Sequence, residues 1–363
     1  MSLCRSISKR IVALRSANVA LDLRYFRGAK GDIPSGFKTN LLCIVLVFAF
    51  CASTFGQSPS DKIKRATQNL NSKQSFKLEY KMKKGQEIRW SVEHVASTKA
   101  QIAGEKEDTS SRTKSQKLWK VSSVDSVGNM TFVHSIESVD MWQQIGEGEP
   151  ITYNSETDKT PPMEFESVTE KIGKPLAVIS ISPTGQVVDR KTSLQQARFG
   201  VGEITVPLPA KNIAIGHKWF VPSVLTAKDE DGRTQQLKTR LHYELSRVKL
   251  PNAYISFRTE VLTPIQSEKV KSQIMQQMTK GYVVFDIDRG MVAHKEIEWD
   301  EKVQGYEGPD SYLNYVGKMT EKLIAGSARP LAPTGTSSTT KKGGIVTTAT
   351  EIKTRDGKPI MRK

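Results

Sequence analysis

Six carboxylates crowd one short stretch of this chain, Asp286, Asp288, Glu296, Glu298, Asp300 and Glu301. A carboxylate pair flanking a glycosidic bond does the work of glycoside hydrolysis, and a nest of carboxylate oxygens suits calcium. The spacing fits neither well. Asp288 stands where a turn favours Asp, Glu296 and Glu298 fall on the polar phase of an alternating run, and no DxDxDG-type loop is present. The histidines, His94, His134, His217, His242 and His294, are scattered, without HExxH or HxH spacing, so a zinc site would need wholly discontinuous ligands. Serines are plentiful, but no GxSxG elbow exists and no Ser, His and Asp stand in a recognisable order. Gly146-Glu147-Gly148 carries an acid where a phosphate would be repelled and lacks the lysine of a phosphate loop. Trp90, Trp119, Trp142, Trp219 and Trp299, with Tyr80, Tyr243, Tyr254 and Tyr282, have the chemistry to line a cleft for a glycan or lipid. On alternating strands such rings more commonly serve as core or cross-strand partners. No residue is therefore assigned a catalytic, cofactor-binding or metal-binding role, and no cofactor is expected.

The elements that would carry these residues are strands. Gly281 to Asp300 reads as a β-hairpin, with Val283, Phe285 and Ile287 alternating before Asp288-Arg289-Gly290 reverses the chain. Met291, Ala293, Lys295, Ile297 and Trp299 alternate on the return. A three-residue loop ending in Gly would set Ile287 against Met291 and Phe285 against Ala293, with Phe285 pointing into the core and Asp286 away from it. Leu176 to Arg190 repeats the device, with Pro183-Thr184-Gly185 as its turn.

Upstream, Phe76, Leu78, Tyr80 and Met82 alternate with charged residues, Lys84-Gly85 turns the chain, and Ile88, Trp90 and Val92 resume the pattern. Thr109 to Ser115 reads as too polar for a central strand, whereas Leu118 to Val127 and Met130 to Trp142 read as strands of a meander. Gly146 to Gly173, with Pro150, Pro161 and Pro162, reads as a long surface loop. Leu237 to Leu245 and Ala253 to Val261 alternate about a Pro251-Asn252 turn. Val270, Ile274 and Met278 shift to a four-residue period, predicting one amphipathic helix with Ser267 as N-cap, Gly281 as its stop, and Met275 and Met278 as core filler. The alternation of Leu313, Tyr315 and Met319 favours a strand over Tyr312 to Leu323.

The 363-residue chain has a formal charge of +16. Its distribution decides what that charge means. Residues 1–56 and 327–363 each hold eight Lys/Arg against two acids, which leaves only +4 on the body, so nucleic-acid binding is not expected. The three cysteines, Cys4, Cys43 and Cys51, precede residue 52, so the body has neither disulfide nor thiol nucleophile. The basic leader runs into an uncharged apolar run, Leu41 to Ala52, short for a membrane span and ending in small and polar residues. It predicts a secretory signal over residues 1–56 cleaved near Gly56, with an uncleaved anchor as the alternative. Residues 57–75 read as a linker, 76–200 and 201–326 as two related antiparallel β halves, and 327–363 as a disordered basic tail.

The series Tyr80-Lys81-Met82-Lys83-Lys84-Gly85, Ile151-Thr152-Tyr153-Asn154-Ser155, Ile181-Ser182-Pro183-Thr184-Gly185-Gln186-Val187, Leu208-Pro209 with Ile215-Gly216-His217-Lys218-Trp219, and Gly281 with Phe285-Asp286 and Gly290 resembles a family of exported bacterial β-proteins of unknown function. Asn154 departs from the Asp expected there. The resemblance spans Phe76 to Leu323 and implies no catalytic residue.

The expected fold is mainly β, two antiparallel halves as a sandwich or curved sheets with one short helix. The expected role is that of an exported protein, periplasmic, at the cell surface or extracellular. It would be non-enzymatic, binding a hydrophobic or glycan ligand or an envelope protein partner. A secreted hydrolase using strand-end carboxylates is the rival.

Overall fold

A computed structural model describes residues 74–192 and 204–326. The expected signal segment, nearly all of the linker, residues 193–203 and the basic tail lie outside the described residues. In chain order the elements are β1 (Ser75–Phe76), β2 (Glu87–Ile102), β3 (Glu105–Val124), β4 (Met130–Ile145), β5 (Ile151–Asn154), α1 (Glu166–Thr169), β6 (Pro175–Ile181), β7 (Val187–Thr192), β8 (Ile213–Ala214), β9 (Lys218–Lys228), β10 (Thr234–Lys249), β11 (Asn252–Val261), α2 (Glu268–Ile274), β12 (Lys280–Asp286), β13 (Met291–Gln304) and β14 (Tyr312–Leu323). Twelve strands form one antiparallel sheet in the order β7-β6-β4-β3-β2-β14-β13-β12-β11-β10-β9, with β5 paired to β4. The two halves meet where β2 pairs with β14, so they share one sheet rather than facing each other as two.

Alternation decides the inner face. Ile88, Trp90, Trp119, Phe132, Ile179, Leu241, Tyr243, Leu245, Ile255, Val283 and Phe285 fall on one phase of their strands and form a single apolar cluster across the sheet. Phe76, Leu78, Tyr80 and Met82 join it, but only Ser75 and Phe76 are strand, paired with β8. The rest of that alternating run is an extended strap across the inner face.

The strap shows why the sheet must roll. Tyr80 N–H donates to the Pro183 carbonyl in the β6–β7 turn (2.8 Å), and Lys81 N–H donates to the Gly290 carbonyl in the β12–β13 turn (2.9 Å). These turns lie on strands five spacings apart between β6 and β13, about 24 Å in a flat sheet. Neighbouring Cα atoms are about 3.8 Å apart, so the two acceptor oxygens lie within about 10 Å of each other. At this end the sheet is therefore rolled tightly, and the strap with Val206, Leu208 and Ile213 fills the interior. Of the two expected arrangements, the molecule adopts the curved sheet.

Both glycines of these turns have positive φ and lie against the strap. A Cβ on Gly290 would sit 2.6 Å from Lys81 N, and one on Gly185 would sit 2.5 Å from Tyr80 Cε2. In the first hairpin Ile181 pairs with Val187, and Val188 is the extra residue of a bulge. The second departs from its expected pairing. Asp286 faces Met291 and Phe285 faces Val292, leaving Ala293 as the extra residue of a bulge. The cause is a four-residue loop held by Asp286, whose Oδ1 accepts Arg289 N–H (2.9 Å) while its carbonyl accepts Gly290 N–H (2.8 Å). Phe285 is buried as expected, but Asp286, expected to point away, is only 7% exposed. Asp286→Ala should then cost about 1–2 kcal/mol in urea unfolding, because it orphans the Arg289 amide. A change near zero would mean that water replaces the carboxylate freely.

Other expectations also change. Thr109 to Ser115 lies in β3 and pairs with β2 on one side and β4 on the other, a central strand after all. Its outer polarity is matched laterally by Lys114–Glu93 and Arg112–Asp140 at 3.8 and 3.6 Å. The expected loop from Gly146 to Gly173 contains β5 and α1, and buries Phe165 and Val168 against Val139, Met141 and Tyr153. Among the described residues there are thus two short helices rather than one. The expected helix is present as α2 followed by a 3-10 turn, Met275–Gln277, with Val270, Ile274 and Met275 buried. Gly281 does not stop it but belongs to β12, where a Cβ would strike the Glu296 carbonyl of β13. Tyr312 to Leu323 is a strand, as its alternation predicts.

Candidate functional site

Polar chemistry collects in two places, on opposite faces of the sheet. On the outer face of β10 to β13, register sets side chains in two ranks. His242, Arg258, Lys280 and Glu298 stand opposite one another, as do Glu244, Ser256, Tyr282 and Glu296. They line an open groove of about 380 Å³. Gly281 lets β12 and β13 approach closely along its floor.

The groove's rims are fixed by ion pairs. Glu260 accepts from Arg240 Nε (2.6 Å), Arg258 (2.6 Å) and the Nδ1 of His242 (3.1 Å). The Arg240 hydrogen bond is the largest of the causes that hold the Glu260 carboxyl down to about 2. Since its unfolded value is near 4.5, this group contributes stability that is complete above pH 4.5 and is lost as pH falls toward 2. Glu260→Gln should flatten the acid limb of the stability profile between those pH values, read by urea unfolding. An unchanged limb would show that the cluster is solvated. On the other rim Glu296 pairs with Lys318 (2.8 Å), and the Tyr282 hydroxyl meets His294 Nε2 (3.1 Å). Burial, followed by the Glu296 charge, raises the Tyr282 hydroxyl above its ordinary value, so it remains protonated and able to hydrogen-bond.

The inner face holds a different group. Lys117 Nζ reaches Glu321 Oε1 at 2.5 Å, with both side chains 12% exposed. The ammonium lies 4.6 Å from the Trp90 ring centre and 5.0 Å from that of Trp119. Burial lowers its pKa against the opposing pull of Glu321. His134, opposite Trp119 in the ladder, is lowered to about 3, by burial first and by Lys117 next.

The six acids of this stretch do not converge. Asp286 and Asp288 belong to the rolled-end turn, Glu296 and Glu298 to the groove, Asp300 is exposed opposite Val316, and Glu301 faces inward opposite Tyr315, where burial raises its carboxyl. The histidines are equally dispersed, and among the described residues no cluster of metal-ligating side chains occurs. Trp90 and Trp119 are core rings, and Trp119 stacks on Phe132 at 4.2 Å. The Lys117–Glu321 pair and the Glu260 cluster were missed from sequence. Lys117 carried a usable signal, since it shares the inward phase of Trp119 and Val121.

No family model matches the chain, and no curated protein does. The resemblance to exported β-proteins therefore rests on its turn motifs alone. Solved structures that are similar include lipovitellin, described for its lipid–protein interactions, at 9% identity over 67% of this chain with a TM-score of 0.38. The match spans only 25% of the lipovitellin chain. Another is the Salmonella type III secretion secretin InvG, at 9% identity over 76% of this chain and 68% of that one, with a TM-score of 0.15. Neither likeness is strong enough to carry an argument.

Proposed function

We propose that this chain is an exported, non-enzymatic binding protein of the cell envelope that holds a polar ligand on the outer face of β10 to β13. The observation that carries the reading is the groove itself, whose volume of about 380 Å³ falls in the range of about 300–1,000 Å³ common for ligand sites. The inner apolar face is engaged by the chain's own strap, which favours a polar ligand over a lipid. Export is supported by the basic leader and apolar run before residue 57. The rival hydrolase reading is weakened because Glu296 and Glu244 are engaged by Lys318 and Lys218, at 2.8 and 3.7 Å.

Thermal shift with a panel of monosaccharides, amino acids and small dicarboxylates tests this. At least one compound should raise the melting temperature of the wild-type chain and not that of Ser256→Trp, which fills the groove. If none does, the reading is wrong. Turnover of aryl glycosides that is abolished by Glu298→Gln would instead make the protein a hydrolase.

A further inference from the structure

We infer that the rolled end of the sheet docks on an anionic lipid surface, with Lys83, Lys84 and Lys249 meeting the headgroups and Val127 and Leu250 entering between them. This does not depend on the groove, which lies along the outer face of β10 to β13. Hydrogen bonds and close approaches join the turns of this end into one tip. Ile287 N–H in the β12–β13 turn donates to the Pro251 carbonyl of the β10–β11 turn (2.8 Å), and the strap ties the β12–β13 turn to the β6–β7 turn. The β3–β4 turn completes the tip, since a Cβ on Gly128 would sit 3.1 Å from Pro183 Cγ.

Charge and apolar side chains at this tip both match such a surface. Across residues 81–85, 125–129, 182–186, 249–251 and 287–290 the exposed charges are Lys81, Lys83, Lys84, Lys249 and Arg289 against Asp125 and Asp288. Lys81 Nζ donates to the Ile287 carbonyl (3.0 Å), which holds that ammonium at the tip. Lys83, Lys84 and Lys249 pair with no acid among the described residues, so their charge is available to a partner. Val127 and Leu250 stand on two of the turns, 72% and 63% exposed. One exposed aliphatic side chain means little, but two on the crests of a cationic tip form an interfacial pattern. The opposite end of the sheet carries the reverse charge, because its turns at residues 146–150, 229–233 and 305–311 hold seven acids against Arg233 alone. An anionic surface therefore attracts one end and repels the other, which orients the chain before contact. A soluble polyanion would use the cations but gives the aliphatic crests nothing to enter, whereas acyl chains do.

Tryptophan emission from a Leu250→Trp variant of the full chain, mixed with vesicles of phosphatidylglycerol or of phosphatidylcholine with brominated acyl chains, tests the inference. The emission added over the wild type should be quenched on phosphatidylglycerol, little on phosphatidylcholine, and less as salt is raised. The same change at the far end, Asp310→Trp, should leave the added emission unquenched. Lys83→Gln, Lys84→Gln and Lys249→Gln together should raise the lipid concentration for half-quenching of Leu250→Trp about a hundredfold, at about fivefold for each lysine. All are exposed positions, so these variants should fold as the wild type does. Protein that floats with the vesicles while Leu250→Trp stays unquenched would be held by its basic leader or tail, and the inference would fall. Equal quenching on both lipids would overturn the anionic surface. Binding of polyphosphate that is lost in the lysine variant, without quenching on either lipid, would make the tip a site for a soluble polyanion and overturn the lipid reading.

Discussion

Gly290→Ala should be among the most damaging single-methyl changes in the molecule, costing about 3–5 kcal/mol. A left-handed backbone at an L-residue accounts for about 1–2 kcal/mol of this, and overpacking against a neighbour that cannot yield for about 1–3 more. The neighbour is backbone. Gly290 has φ +64°, and its added Cβ would lie 2.6 Å from Lys81 N, whose hydrogen bond to the Gly290 carbonyl anchors the strap. Gly232→Ala provides the control, since its φ is +80° but nothing lies within 4 Å of the new atom, so only the conformational part, about 1–2 kcal/mol, should appear. Urea unfolding of the two variants separates the terms. If Gly290→Ala costs no more than Gly232→Ala, the strap does not press on the turn and the rolled end is looser than described.

Lys117→Met should cost about 3–5 kcal/mol, because it leaves the Glu321 carboxylate on the inner face without its cation. The double variant Lys117→Met with Glu321→Leu should recover most of the loss or exceed the wild type, since the desolvation of both charges disappears with them. Trp90 and Trp119 should then close over methionine as they close over the lysine stem. Equal losses in the single and double variants would show that the pair does more than compensate its own burial. It would then merit study as a second binding site.

How much of this was legible in the sequence varied with the range of the interaction involved. Alternation along Leu237–Leu245 or Leu313–Met319 is a local property of each strand, and it assigned the inner face correctly. The register of the second hairpin was not legible, because the Asp286 carboxylate widened the loop and a bulge at Ala293 absorbed the extra residue. Thr109 to Ser115 misled because polarity was read as exposure. In a sheet with strands of 16 to 20 residues, a central polar stretch is satisfied by its lateral neighbours. The groove escaped notice for the same reason. His242, Arg258, Lys280 and Glu298 sit on separate strands and meet only through pairing, so no spacing along the chain announces them.

Native mass spectrometry of the full chain, purified from the cells that make it without detergent exchange, tests most directly whether the inner face is self-filled and the ligand sits outside. The account predicts that the polypeptide carries no lipid, that a small polar molecule adds in one-to-one ratio, and that Ser256→Trp abolishes the adduct. A stoichiometric acyl lipid retained in both the wild-type and Ser256→Trp proteins would contradict it, because the strap residues Leu78, Tyr80 and Met82 would then have to leave the interior to make room.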